Sequence, residues 1–191
     1  MGDRLQVGLA LLDRQLVDAE EVQCGKVDDV VLRRSARGLR LAALLSGPGA
    51  WPGRLPAWLA PVAARLVGDR AAVVDWDRVT DRNAAIRLSL TTRELARWRA
   101  GVRPAPPGTV LISTLIGARV VDAGGRPLGH VHDVEVAVAV GGPRVESLLV
   151  GPRGLLRRLG LHVRAPRLNA VAWADVQPWE PGQPLIARRH G

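Results

Sequence analysis

The chain repeats itself once, and the repeat limits what it can fold into. Val17-Asp18-Ala19 returns as Val121-Asp122-Ala123, a shift of 104 positions. With no gap, Gly25 meets Gly129, Val27 meets Val131, Asp29 meets Asp133 and Val30 meets Val134. Leu44-Leu45-x-Gly47-Pro48 and Leu148-Leu149-x-Gly151-Pro152 keep that shift. Further on it drops to 97, so Trp76 meets Trp173, Val79 meets Val176 and Leu88 meets Leu185. The loop before Trp76 is therefore seven residues longer in the first copy. Chance does not supply three blocks in one order, two of them at one unbroken shift. A period of about 100 residues marks a duplicated domain, because solenoid units are shorter. Two modules of roughly 80–95 residues follow, a common domain size.

Each copy reads as strand, tight turn, strand. In the second copy Gly124-Gly125 supplies positive φ for the reversal. Val131, Val134 and Val136 then offer an apolar face, but the first step is three residues. A step of three inside a period-two pattern predicts a bulge near His132-Asp133. A carboxylate beside a bulge accepts backbone N–H bonds, so Asp29 and Asp133 are expected to fix the turn. Gly25 and Gly129 belong to the same motif, and Trp76 and Trp173 are expected to pack against the core.

This pattern resembles the PRC-barrel domain, clearest around Leu115-Ile116-Gly117 and Gly129-His130-Val131-His132-Asp133-Val134. That domain occurs in the H subunit of photosynthetic reaction centres and in the C-terminal half of the ribosome maturation factor. The first copy departs from it: Asp13 stands where Gly117 predicts glycine, and Glu20-Glu21 replaces Gly124-Gly125. The resemblance implies an all-β chain of two small antiparallel barrels in tandem with a short linking helix. Two barrels on a short tether are expected to pack face to face, as a covalent version of a homodimer. The motif marks a fold and carries no catalytic group.

The core is constrained by composition, since the chain has six Trp but no Phe and no Tyr. Leucine, valine and alanine must fill it. Net charge is +9, and Lys26 is the only lysine among 27 basic residues. Such charge attracts phosphate and anionic lipid, although an arginine excess with abundant Ala, Gly and Pro is also what GC-rich coding produces. Cys24 is the only cysteine, so no intrachain disulfide forms and a cytoplasmic location is expected. Its counterpart is Leu128, which predicts a small buried hydrophobe. No apolar run is long enough to span a membrane as a helix.

In chain order, residues 1–90 form the first module, beginning with a strand over residues 5–12. Arg33-Arg34-x-x-Arg37-Gly38-x-Arg40 reads as a solvated basic turn between two strands. Residues 47–68 form a Pro-rich insert whose Trp51 and Trp58 are candidate partner anchors. Residues 91–108 hold a capping box, Thr91-x-x-Glu94, a short helix with Leu95 and Trp98 on one face and Gly101 at its end, and a Pro-rich linker. The second module covers residues 109–180. Within it, Arg153, Arg157, Arg158, Arg164 and Arg167 form a run with no acidic residue between them, a candidate phosphate-facing patch. A basic tail over residues 181–191 closes the chain, and partial disorder is expected from Pro178 to Gly191.

His130-x-His132 would put two imidazoles on one side of a regular strand, a weak metal signal that the first copy lacks, with Lys26 and Asp28 in those places. No phosphate-cradling loop, dinucleotide fingerprint or nucleophile elbow is present. The expectation is a non-enzymatic adaptor or assembly protein that docks onto a protein complex, without cofactor or metal. The alternatives are an RNA-associated factor in ribosome maturation and a membrane-surface accessory protein. Homodimer formation is a further expectation.

Overall fold

The computed structural model describes residues 4–36, 38–47, 71–98, 108–138, 142–152 and 168–188. Strand β1 (Arg4–Gln6) runs straight into a helical turn, α1 (Val7–Ala10). The strand expected over residues 5–12 is thus cut short. Val7 and Leu11 stand four apart, a helical step, and both are fully buried. Six strands and a 3-10 turn follow: β2 (Gln15–Val17), β3 (Gln23–Lys26), β4 (Asp29–Ser35), β5 (Gly38–Ser46), β6 (Ala72–Asp75), the turn Trp76–Arg78, and β7 (Val79–Asp81). Then come β8 (Ile86–Leu88) and α2 (Thr92–Trp98). The second half repeats the order with β9 (Thr109–Leu111), α3 (Ile112–Leu115), β10 (Arg119–Asp122), β11 (Pro127–Ala137), β12 (Arg144–Gly151), β13 (Asn169–Ala172), the 3-10 turn Trp173–Asp175 and β14 (Leu185–Ala187).

These elements make a mostly β fold with only short helices. A ten-stranded mixed sheet curls into a half-barrel, and a four-stranded sheet of β3, β2, β8 and β7 accompanies it. The sheets differ because β11 runs unbroken where its counterpart splits into β3 and β4 at Val27-Asp28. Pairing is not wholly antiparallel as expected: β8 lies parallel to β2, and β14 parallel to β10. Each of these closing strands returns after a long excursion, so either direction is open to it. The register also corrects one repeat match. Ile86 faces Leu16 and Leu185 faces Val120, so Ile86, not Leu88, is the counterpart of Leu185.

The two halves exchange their first strands. β1 pairs with β11, with Leu5 opposite Val136, and β9 pairs with β4, with Val110 opposite Leu32. Where the halves meet, β5 and β12 pair through Arg40 and Arg144. These arginines are 104 positions apart and so equivalent in the repeat. Antiparallel pairing of equivalent residues is a local two-fold axis. The main core accordingly draws on both halves, from Leu32, Leu44 and Ile86 to Ile112, Leu148 and Leu185. Leucine, valine and alanine dominate it, as the absence of Phe and Tyr requires.

The bulge falls where the valine spacing placed it. Val131 faces Val150 and Asp133 faces Leu149, which leaves His132 as the extra residue. The repeated aspartates then act across the halves. Asp133 Oδ1 accepts the Gly8 N–H at 2.6 Å, and Oδ2 accepts the Leu9 N–H at 3.0 Å. Asp29 accepts the Ser113 N–H at 3.2 Å and the Ser113 hydroxyl at 2.5 Å. Each aspartate thus holds the first helical turn of the other half. Burial pushes the Asp133 carboxyl up, against the pull of its three backbone N–H donors.

The hairpin turns are held by another repeated pair. Asp122 accepts N–H bonds from Gly124 and Arg126, and Asp18 accepts them from Glu20 and Val22. The first copy keeps the same backbone without the glycines: Asp13 and Glu21 sit at φ 62°, where Gly117 and Gly125 sit at 86° and 79°. Asp18 also accepts the N–H and hydroxyl of Thr92, tying α2 to this turn. The Thr92 hydroxyl, then the Val22 N–H, hold the Asp18 carboxyl down at about 2. The capping box forms as read, with the Thr91 N–H donating to Glu94 at 2.7 Å, and Leu95 is buried. The expected cap at Gly101 lies outside the described residues.

Two further expectations change. Residues 179–188 are built into the fold: Trp179 is buried, its indole N–H donates to the Gln183 carbonyl, and Leu185–Ala187 is a strand. Cys24 is half-buried against the core, while its counterpart Leu128 is exposed.

Gly129 shows why the motif needs glycine. Its φ is 133°, and a Cβ there would stand 2.3 Å from the Gly151 carbonyl oxygen on the neighbouring strand. Gly125, at φ 79°, has nothing within 4 Å of that position. Gly129→Ala is expected to cost about 3 kcal/mol or more, and Gly125→Ala about 1 kcal/mol, in urea unfolding of the full chain.

Candidate functional site

A cleft of about 580 Å³ opens at the turn between β4 and β5. Arg33, Arg34, Arg40, Asp75, Trp76 and Asp77 line it. The basic turn noted in the sequence is therefore one wall of a cleft, not only a solvated tip. Local structure explains the placement. Ser35 Oγ donates to the Gly38 carbonyl at 2.8 Å and closes the hairpin, so Arg33 and Arg40 stand directly opposite. β6 pairs with the other edge of β5 and carries Asp75 and Trp76 to the same wall.

Strand alternation sorts the arginines. Val30 and Leu32 face the main core, and Val31 faces a second small cluster with Ala43 and Leu45. Arg33 follows Val31 onto the outer face. Arg34 follows Leu32 and donates to the Trp179 carbonyl at 2.5 Å. Trp76 is half-buried and packs on the core, with the Arg82 guanidinium 5.7 Å from its ring centre. Trp173 also packs on the core, so both tryptophans have the expected role. It lies over Gly38, where a Cβ would come within 3.1 Å of its ring.

The duplication shows which features are particular to this site. At the same shifts, Arg33, Arg34, Asp75 and Asp77 correspond to Ala137, Val138, Ala172 and Ala174. The charges thus belong to the first half alone, while Arg40 and Trp76 keep their counterparts Arg144 and Trp173. The outer face diverges too. Val31 and Ala43 are apolar and buried, where the second half has Glu135 bonded to Ser147 at 2.6 Å.

The other sequence candidates fare differently. Gly25, Asp29, Trp76, Gly129, Asp133 and Trp173 take structural positions in the two halves. Trp51 and Trp58, and Arg153, Arg157, Arg158, Arg164 and Arg167, lie outside the described residues. His130 and His132 do not form a regular-strand pair, because the bulge falls at His132, whose Nε2 lies 2.9 Å from the Pro152 carbonyl oxygen. Among the described residues no cluster of three metal-ligating side chains exists. No described helix is long and apolar enough to cross a membrane.

Sequence reading found the basic turn but missed two of its neighbours. Trp76 reaches it only through the β5–β6 pairing. Arg144 reaches it only through the strand contact at the two-fold. The one advance signal for Arg144 was its equivalence to Arg40 in the repeat. No protein-family model matches the chain. No curated protein matches it either.

The Arg40–Arg144 pairing places like charges opposite each other, and the buried Nε of Arg144 has no hydrogen-bond partner among the described residues. Both effects destabilise. Arg144→Thr is therefore expected to raise the stability of the full chain by about 1 kcal/mol in urea unfolding. A loss of that size would mean that Arg144 is a structural prop.

Proposed function

We propose that the chain is a non-enzymatic adaptor or assembly protein, and that its halves are PRC-barrel-like modules, each completed by the first strand of the other. The resemblance of the repeat motif to that domain supports the family reading. The functional reading is carried by the cleft beside Trp76. Tryptophan and arginine are the side chains that most often anchor protein interfaces, and this cleft sets an indole among three guanidiniums. The buried aspartates support the reading from another side. Asp18, Asp29, Asp122 and Asp133 all accept backbone N–H bonds, a use of carboxylates that builds turns rather than a reaction centre. The partner is a protein complex of the cytoplasm. RNA and an anionic membrane surface are the competitors, since a charge of +9 attracts both.

Pulldown of the tagged full chain from native lysate, with and without nuclease, separates these readings. The same protein partner should be recovered at equal yield in both halves of the sample. Recovery of ribosomal components alone, lost on nuclease treatment, would replace the adaptor with an RNA-associated factor. Flotation with anionic vesicles in the absence of any protein partner would favour the membrane surface.

A further inference from the structure

The outward face of the large sheet differs between the halves around Val121. Val121 on β10 stands opposite Ile186 on β14 and Pro127 on β11, and the register shift there leaves Leu128 beside Pro127. Val120 and Leu185, one residue back, enter the core, so alternation turns Val121 and Ile186 outward. Leu128 is 42% exposed and Ile186 38%, two of the four exposed large apolar side chains among the described residues. Arg119 on β10 and Arg188 just beyond β14 alternate onto the same face, and Arg126 stands at the turn beside Pro127. All three arginines are exposed, and none forms an ion pair among the described residues. The first half has the reverse arrangement. At the matching places Arg87 replaces Ile186 and pairs with Glu21, Cys24 replaces Leu128, and Gln15, Val22 and Ser89 replace the three arginines. The fold therefore does not require an apolar centre inside a basic rim here, and such a patch marks an interaction surface.

We propose that this patch docks an amphipathic helix of the partner protein, with acidic residues flanking its apolar stripe, an inference that rests on the adaptor reading above. A helix laid on a sheet buries a half-apolar sheet face. Strands about 4.8 Å apart make the apolar centre about 10 Å across, or about two turns of helix. Leucines at i, i+3, i+4 and i+7 cover that length. Carboxylates beside them reach Arg119, Arg126 and Arg188, whose guanidiniums each offer two parallel N–H bonds. The chemistry disfavours other occupants. A second copy of the chain would bring both sets of arginines together, and like charges repel. A nucleic-acid strand would answer the arginines but set phosphate and sugar against Leu128 and Ile186. An apolar face enters a bilayer to a depth of about 5–10 Å, whereas these two side chains are more than half covered on a strand face. The patch shares no residue with the cleft beside Trp76.

The test uses the full chain and a fluorescein-labelled peptide, Gln-Glu-Leu-Glu-Gln-Leu-Leu-Gln-Glu-Leu-Glu-Gln, read by fluorescence anisotropy at physiological ionic strength. Saturable binding is expected, with a gain of helical circular dichroism in the peptide. Analogues with Gln for Glu or Ser for Leu should each bind about tenfold more weakly. Leu128→Ser/Ile186→Ser should weaken the parent peptide about tenfold, and Arg119→Gln/Arg188→Gln about fivefold. Leu9→Ser/Val22→Ser and Arg78→Gln/Arg93→Gln make the same changes at exposed positions elsewhere, and should change binding less than about twofold. Urea midpoints of all variants establish that they are folded. No saturable binding, equal weakening by the control variants, or displacement of the peptide by a short RNA at lower concentration would each overturn the proposal. So would flotation with anionic vesicles that Leu128→Ser/Ile186→Ser abolishes, which would assign the patch to a membrane. A nuclease-resistant partner recovered equally well by Leu128→Ser/Ile186→Ser would also overturn it, while leaving the adaptor reading intact.

Discussion

The structure depends on a reciprocal exchange. Each half lends its first strand and helical turn to the other, and a buried aspartate receives it. Asp133 accepts the N–H groups of Gly8 and Leu9, and Asp29 accepts the N–H and hydroxyl of Ser113. Both aspartates lie on the strand that receives the exchanged segment, so the pairing and the cap reinforce each other. In this arrangement each carboxylate takes these bonds from the other half and not from its own. An unpaired buried acceptor costs about 1–3 kcal/mol, so separation of the halves is penalised twice.

From the exchange follows the site. Once β1 and β9 have crossed, β5 and β12 meet at the two-fold and bring Arg40 opposite Arg144. The hairpin then adds Arg33, and β6 brings Trp76. Duplication supplied two copies of this surface, and only one carries these charges. Ala137, Val138, Ala172 and Ala174 occupy the matching places in the other. Stability needs the features the halves share, such as the aspartates and the core valines.

Much of the fold was legible because it is local. The valine step of three located the bulge at His132, the capping box located α2, and the matched shifts located Asp29 and Asp133. The exchange was not legible, because strand pairing between β1 and β11 depends on contacts more than 100 positions apart, and either half offers a suitable edge. The strand at Leu185–Ala187 was hidden by the Pro- and Gly-rich stretch before it, which reads as a tail. Positive φ at Asp13 and Glu21 was also hidden, since neither residue announces it as glycine does. The site was half legible. Clustered arginines marked the turn, but only the tertiary fold aligns them with Arg144 and Trp76.

The most direct measurement is to produce residues 1–100 and 101–191 as separate chains in one cell and determine their state by native mass spectrometry. The exchange predicts that they recover a one-to-one complex that unfolds in a single transition, because each chain carries the strand and helical turn that the other needs. Two stable, folded monomers that do not associate would contradict it.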